Sequence, residues 1–142
     1  HHYLSCDQDL CLFEGSASTI ESLHGQGYLL AVATGKSRRG LDRVLSNSGI
    51  GQFFLASRCA DECFSKPHPQ LLLVLMEELA VTPERTLMIG DTTHDVQMAI
   101  NAGVDSVAVT YGAHPVEQLA TLRPLAQLGS VAELTAWLHK HA

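Results

Sequence analysis

Three short stretches of the chain hold residue types that could act together on one substrate. The first is Ala33-Thr34-Gly35-Lys36-Ser37, where an apolar run ends in a hydroxyl and a glycine ahead of a helical pattern. A hydroxyl beside free amides and the positive end of a helix suits a phosphate group. The triplet Gly35-Lys36-Ser37 is not a nucleotide P-loop, because G-x-x-x-x-G-K-S needs glycine at position 30 and Leu30 stands there. The second stretch, Met88-Ile89-Gly90-Asp91-Thr92-Thr93-His94-Asp95, sets two carboxylates after an apolar run. A tight loop can aim Asp91 and Asp95 at one point as oxygen ligands for a hard cation such as Mg²⁺. Thr92 and Asp95 also have capping-box spacing, which accounts for Asp95 structurally but leaves Asp91 in need of a cationic partner. The third stretch is Ser65-Lys66-Pro67-His68-Pro69-Gln70. Here Lys66 can reach over strand ends as a point charge for phosphate and carboxylates, and Pro69 suits the first position of a helix.

The elements that must carry these residues follow from apolar spacing. Short runs rich in β-branched residues occur at Tyr28 to Thr34, Phe53 to Ser57, Thr86 to Gly90 and Ser106 to Thr110, and read as strands. Between them Ile20 with Leu23, Leu41 with Val44 and Leu45, Leu71 with Leu72, Leu75 and Leu79, and Val96 with Ala99 and Ile100 keep helical spacing. Ser18 with Glu21 and Ser130 with Glu133 have the spacing of capping boxes, and Gly49 and Gly103 stand where left-handed helix ends belong. Strand, helix, strand at this rhythm predicts a three-layer α/β fold, Rossmann-like, with a mostly parallel sheet. In such sheets ligands bind beyond the carboxyl ends of the strands, which is where the three stretches fall.

Composition bounds the function. The 142 residues carry a net charge of −6 with no basic run, which argues against a nucleic-acid or anionic-membrane partner. The longest apolar run, Leu71 to Met76, is far short of a bilayer span, and no signal segment opens the chain. The expectation is a cytoplasmic protein with a small-molecule partner. Cys6, Cys11, Cys59 and Cys63 lack the tight C-x2-C spacing of zinc ribbons and read as reduced thiols. Arg38, Arg39 and Arg43 read as a solvated helix face, and His68 and His94 as surface or supporting residues, since hard cations are held by oxygen.

Taken as a set, Thr34-Gly35, Lys66 in a K-P-H-P segment, and Gly90-Asp91-Thr92-Thr93-His94-Asp95 resemble motifs two, three and four of the haloacid dehalogenase-like hydrolases. The resemblance runs from Leu12 to Gly112 and is nearest to that family's phosphoglycolate phosphatase-like branch. It implies that Thr34 and Gly35 bind the substrate phosphoryl group, that Lys66 pairs with phosphate and nucleophile, and that Asp91 and Asp95 hold Mg²⁺. It further implies a small phosphorylated metabolite as substrate and attack by an aspartate, giving an aspartyl-phosphate that water hydrolyses.

The family's nucleophile belongs to a D-x-D-x-T motif that ends its first strand. Asp7-Gln8-Asp9-Leu10-Cys11 has two acids but no Thr, and lies too near Thr34 to leave room for the helical cap of this branch. Residues 1–13 are accordingly read as the end of such a cap and its hinge, residues 14–142 as the core domain, and Asp7 not as the nucleophile. The expectation is the carboxyl-terminal portion of a Mg²⁺-dependent phosphatase, inactive alone. The alternative is a non-catalytic phosphate- or metal-binding α/β module. A receiver domain is set aside because its acids precede the Thr.

Overall fold

The computed structural model describes the backbone of residues 3–6, 16–64, 66–90, 92–109, 122 and 124–141, with side chains from residue 18 onward. In chain order the elements are β1 (Tyr3–Cys6), α1 (Ser16–Gly25), β2 (Leu29–Ala33), α2 (Arg38–Ser48), β3 (Ala56–Arg58), α3 (Gln70–Leu79), β4 (Thr86–Gly90), α4 (Thr93–Ala102), β5 (Asp105–Val109), β6 (Ala126–Leu128) and α5 (Val131–His141). Short 3₁₀ turns lie at Gly51–Phe53 and Pro83–Arg85. The strands form one parallel sheet in the order β3-β2-β1-β4-β5-β6.

Alternation along the strands sorts the core into two layers. Leu30 of β2, Leu87 and Ile89 of β4, and Val107 and Val109 of β5 join Ile20 and Leu23 of α1 and Leu134 and Leu138 of α5 in one buried cluster. Ala31 and Ala33 of β2 and Met88 of β4 turn the other way, toward Leu71, Leu72 and Leu75 of α3 and Met98 and Ala99 of α4. Helices therefore cover both faces, and the apolar run Leu29 to Ala33 is the signature of a strand with no wet side.

Helix ends largely obey the local chemistry. The Ser37 hydroxyl accepts from the Gly40 amide to open α2, and Gly49 closes it at φ 75°. At α5 the Glu133 amide donates to Ser130 Oγ (3.1 Å), and the Glu133 carboxylate accepts from the Gly129 amide (2.6 Å). Pro69, expected at the first position of α3, instead precedes it, and the helix starts one residue later at Gln70 with no side-chain cap bond from Pro69.

Four further expectations are corrected. Ser18 does not cap α1, because the helix already runs from Ser16. Phe53 is no strand residue: amides of Phe53 and Phe54 turn back on Ile50 and Gly51, and the strand starts at Ala56. Thr110, expected to end the strand that contains β5, lies outside the described residues, and that strand begins one residue earlier, at Asp105. Tyr3–Cys6, read as part of a cap and hinge, instead pairs with both β2 and β4, in register Cys6 to Val32 and Cys6 to Ile89. The physical reason is that two buried parallel strands with a gap between them would each carry unpaired backbone groups, and a third strand satisfies both ladders. The rest of residues 1–13, Asp7 and Cys11 included, lies outside the described residues.

Candidate active site

The carboxyl edge of the sheet gathers the chemistry. Thr34 follows β2 and is 1% exposed, its amide donating to the Arg58 carbonyl (3.1 Å) and its Oγ1 accepting from the Lys36 amide (3.1 Å). Those bonds fix the side chain and leave the hydroxyl proton to donate. The Gly35 amide has no hydrogen-bond partner among the described residues, and the residue is exposed. A turn that offers one hydroxyl proton and one free amide can receive a phosphoryl oxygen.

Asp95 is the most constrained charge at this edge. It is fully buried, and Lys66 Nζ, on a side chain only 9% exposed, donates to its Oδ1 at 2.5 Å. Its Oδ2 accepts from the Thr92 amide (3.3 Å) and the Thr92 hydroxyl (2.9 Å), while the Asp95 amide donates to Thr92 Oγ1 (3.1 Å). The capping box thus forms, and its acid is also the counter-charge of Lys66. Without those partners a carboxylate at this depth would cost several kcal/mol in lost hydration, on the order of 3–5 kcal/mol for breaking such a pair.

Gly90 makes the arrangement possible. A Cβ built there would lie 2.3 Å from Asp95 Cβ and 2.8 Å from its carboxylate carbon. Only glycine ends β4 without pushing Asp95 away.

The sequence-predicted residues are brought together unevenly. Lys66 and Asp95 are in direct contact. Thr34 and Gly35 share the same sheet edge with β4, one strand removed, so about 10 Å at ordinary strand spacing. Asp91, expected as the principal metal ligand, lies outside the described residues. His68 lies two residues before α3, its Nδ1 accepting from the Gln70 amide (3.1 Å) and its ring 4.8 Å from that of Phe64; His94 is exposed.

Arg38 departs from the solvated-face expectation. Its guanidinium donates to Ser57 Oγ (2.6 Å), the Ser57 carbonyl (2.9 Å) and Glu62 Oε1 (2.7 Å), clasping the end of β3. Burial works against the charges of both Arg38 and Glu62. The pairing outweighs it, holding the guanidinium above and the carboxyl below their ordinary ranges. Arg39 and Arg43 are exposed, as expected. Cys59, Asp61 and Glu62 cluster closely enough for a metal, the one such group of three among the described residues. It is unsuited: both carboxylates already accept from Arg38, and burial pushes the Cys59 thiol up to about 11. Cys59 and Cys63 are free thiols.

Two contacts of α4 escape sequence reasoning. Asn101 Nδ2 donates to the Pro67 carbonyl (3.0 Å), and Gln97 Nε2 donates to Asn101 Oδ1 (3.0 Å). The i, i+4 spacing of Gln97 and Asn101 is visible in sequence, but the partner 34 residues away is not.

Comparison with known proteins adds to this geometry. The family model described as haloacid dehalogenase-like hydrolase matches residues 1–109. A relative from Dickeya dadantii named "Probable phosphatase IndB" is 36% identical over 129 residues, covering 90% of this chain and 56% of its own. A phosphoglycolate phosphatase of Salmonella paratyphi A is 35% identical over 114 residues, covering 80% of this chain and 45% of its own. The chain thus spans about half the length of the curated relatives it matches. Among solved structures, a "predicted phosphoglycolate phosphatase" of Haemophilus somnus superposes with a TM-score of 0.83 at 28% identity, over 92% of this chain and 60% of that one.

Proposed function

Because the chain belongs to the haloacid dehalogenase-like hydrolases and is similar to enzymes named as phosphatases, we propose that it contributes the phosphate-binding core of a phosphate monoester hydrolase. The substrate in this reading is a small phosphorylated metabolite, of the phosphoglycolate type. The observation that carries it is the Lys66–Asp95 pair, a nearly buried ammonium held at the carboxyl edge that also carries Thr34. A structural ion pair has no need of that edge, whereas an ammonium there can meet a phosphoryl oxygen while Asp95 fixes its position.

In this mechanism Thr34 Oγ1 and the Gly35 amide donate to the phosphoryl oxygens, and Lys66 offsets their charge. Asp95 orients Lys66 rather than binding substrate. The resemblance also implies Mg²⁺, which when bound would offset phosphoryl charge, and Asp91 is the residue to hold it. Asp95, which the resemblance also assigns to Mg²⁺, is the more occupied of the two acids, its Oδ1 accepting from Lys66 and its Oδ2 from Thr92. An aspartate oxygen forms a bond to phosphorus as the ester P–O bond breaks and the alkoxide leaves as the protonated alcohol; water then attacks the aspartyl-phosphate, releasing inorganic phosphate and restoring the carboxylate. The D-x-D-x-T motif that carries such an aspartate does not occur in these 142 residues, so the chain alone binds phosphate without turning over esters.

A second reading is favoured by β1. Tyr3–Cys6 lies between β2 and β4 and leads straight into Asp7, which would make Asp7 the nucleophile. Aryl phosphate hydrolysis with and without Mg²⁺ decides between them. No turnover by this chain, together with phosphate binding lost in Lys66→Met, supports the first reading. Turnover abolished by Asp7→Asn supports the second. Phosphate binding without turnover even in a chain extended by a D-x-D-x-T segment leaves a binding module.

A further inference from the structure

The Lys66 ammonium and the backbone that carries it are both gripped by α4. Asp95, in the first turn of that helix, receives the ammonium. Asn101, near the end of the same helix, donates to the carbonyl of Pro67, the residue directly after Lys66. The amide of Asn101 cannot flip freely, because Gln97 one turn earlier donates to its oxygen and so turns its nitrogen toward Pro67. Neither residue is needed by the core: Asn101 is exposed and Gln97 half-buried. An exposed polar pair that spans 34 residues to reach a loop carbonyl is better explained by the loop than by the helix.

We propose that Asn101 is a positioning residue for Lys66, with Gln97 orienting its amide, so that α4 sets both the charge and the reach of the phosphate-binding lysine. This rests on Lys66 serving phosphate, as argued above. A lysine stem is long and flexible, and one anchored only at its tip can still swing with its loop. A second anchor one residue beyond the Cα removes that freedom before the anion arrives, and preorganisation of this kind appears as affinity.

The chain contains three lysines, Lys36, Lys66 and Lys140, the first and last of which are exposed, so acylation read by mass spectrometry gives an internal ratio. In the full chain, Asn101→Ala and Asn101→Asp should each raise acylation of Lys66 relative to Lys36 and Lys140. Calorimetric affinity for inorganic phosphate should fall roughly three- to tenfold in both, the size of one net hydrogen bond. Asn101→Asp keeps the shape but loses the donor, so it separates donation from packing. Asn101→Gln, which keeps a donor, should restore part of the affinity. An unchanged Lys66 ratio in both variants, or a rise shared equally by all three lysines, overturns the proposal. Absence of phosphate binding in the parent chain overturns the phosphate reading instead, and the acylation ratio still reports on Asn101.

Discussion

Gly90 and Asp95 occupy one another's space: a single carbon added to the first would sit 2.3 Å from the Cβ of the second. The end of β4 and the start of α4 are therefore joined by the absence of a side chain. Gly90→Ala should force Asp95 out of its place and with it the partner of Lys66. A loss of about 1–3 kcal/mol is expected from overpacking alone, checked by urea unfolding. Phosphate affinity should fall together with stability.

Lys66→Met tests the pair from the other side. Asp95 would keep its Thr92 bonds but lose its counter-charge at a site with no solvent contact. The expected destabilisation is about 3–5 kcal/mol, with phosphate or vanadate affinity lower by roughly tenfold or more. A variant within about half a kcal/mol of the parent, with unaltered anion affinity, would remove Lys66 from the site.

Asp91 and Asp95 should separate by function. Asp91→Asn is expected to abolish calorimetric Mg²⁺ binding while leaving the melting temperature nearly unchanged. Asp95→Asn should do the reverse, lowering the melting temperature through loss of the pair with Lys66 and weakening Mg²⁺ only modestly. Equal loss of Mg²⁺ affinity in both would make Asp95 a direct ligand.

Glu62 supplies a pH signature away from the site. Burial opposes its ionisation, but the Arg38 guanidinium and the Cys59 amide overcome this and hold its carboxyl below the ordinary range. A folded pKa below the unfolded one stabilises above the unfolded value, and the gain disappears as pH falls through the folded value. The parent should thus be more stable than Glu62→Gln near neutrality, and the gap should close in acid below about pH 4. Chemical denaturation at a series of pH values reads it directly.

Much of this was visible in the chain itself, for identifiable reasons. The ends of β4 agree with the reading, because Thr86, a β-branched residue, opens the apolar run Leu87 to Ile89, which glycine and an acid close. The Thr92–Asp95 box and the left-handed closures at Gly49 and Gly103 depend on neighbours a few residues apart, and all form. Lys66 is expected at the edge as a point charge for carboxylates, and Asp95 is such a carboxylate; that this acid serves the ammonium and the helix cap at once is what local spacing does not show. Phe53 and Arg38 were misjudged for a common reason. Local pattern says apolar run or solvated face, while the outcome was set by Ile50 and Gly51 turning the backbone and by Ser57 and Glu62 facing α2. Tyr3–Cys6 has no strand signature of its own, and its pairing follows from the ladders beside it.

The order of strands also dictates when the site can exist. Lys66 leaves from β3 at the outer edge of the sheet, while Asp95 follows β4, with β2 and β1 lying between those two strands. As a growing chain lengthens from its amino end, the ammonium appears 29 residues before its counter-charge and remains in water until α4 docks. A partly assembled form lacking β4 and α4 has no Asp95 to fix this ammonium in place. In the proposed reading phosphate is then a ligand of the finished sheet, and by mass action it weights the equilibrium toward completion.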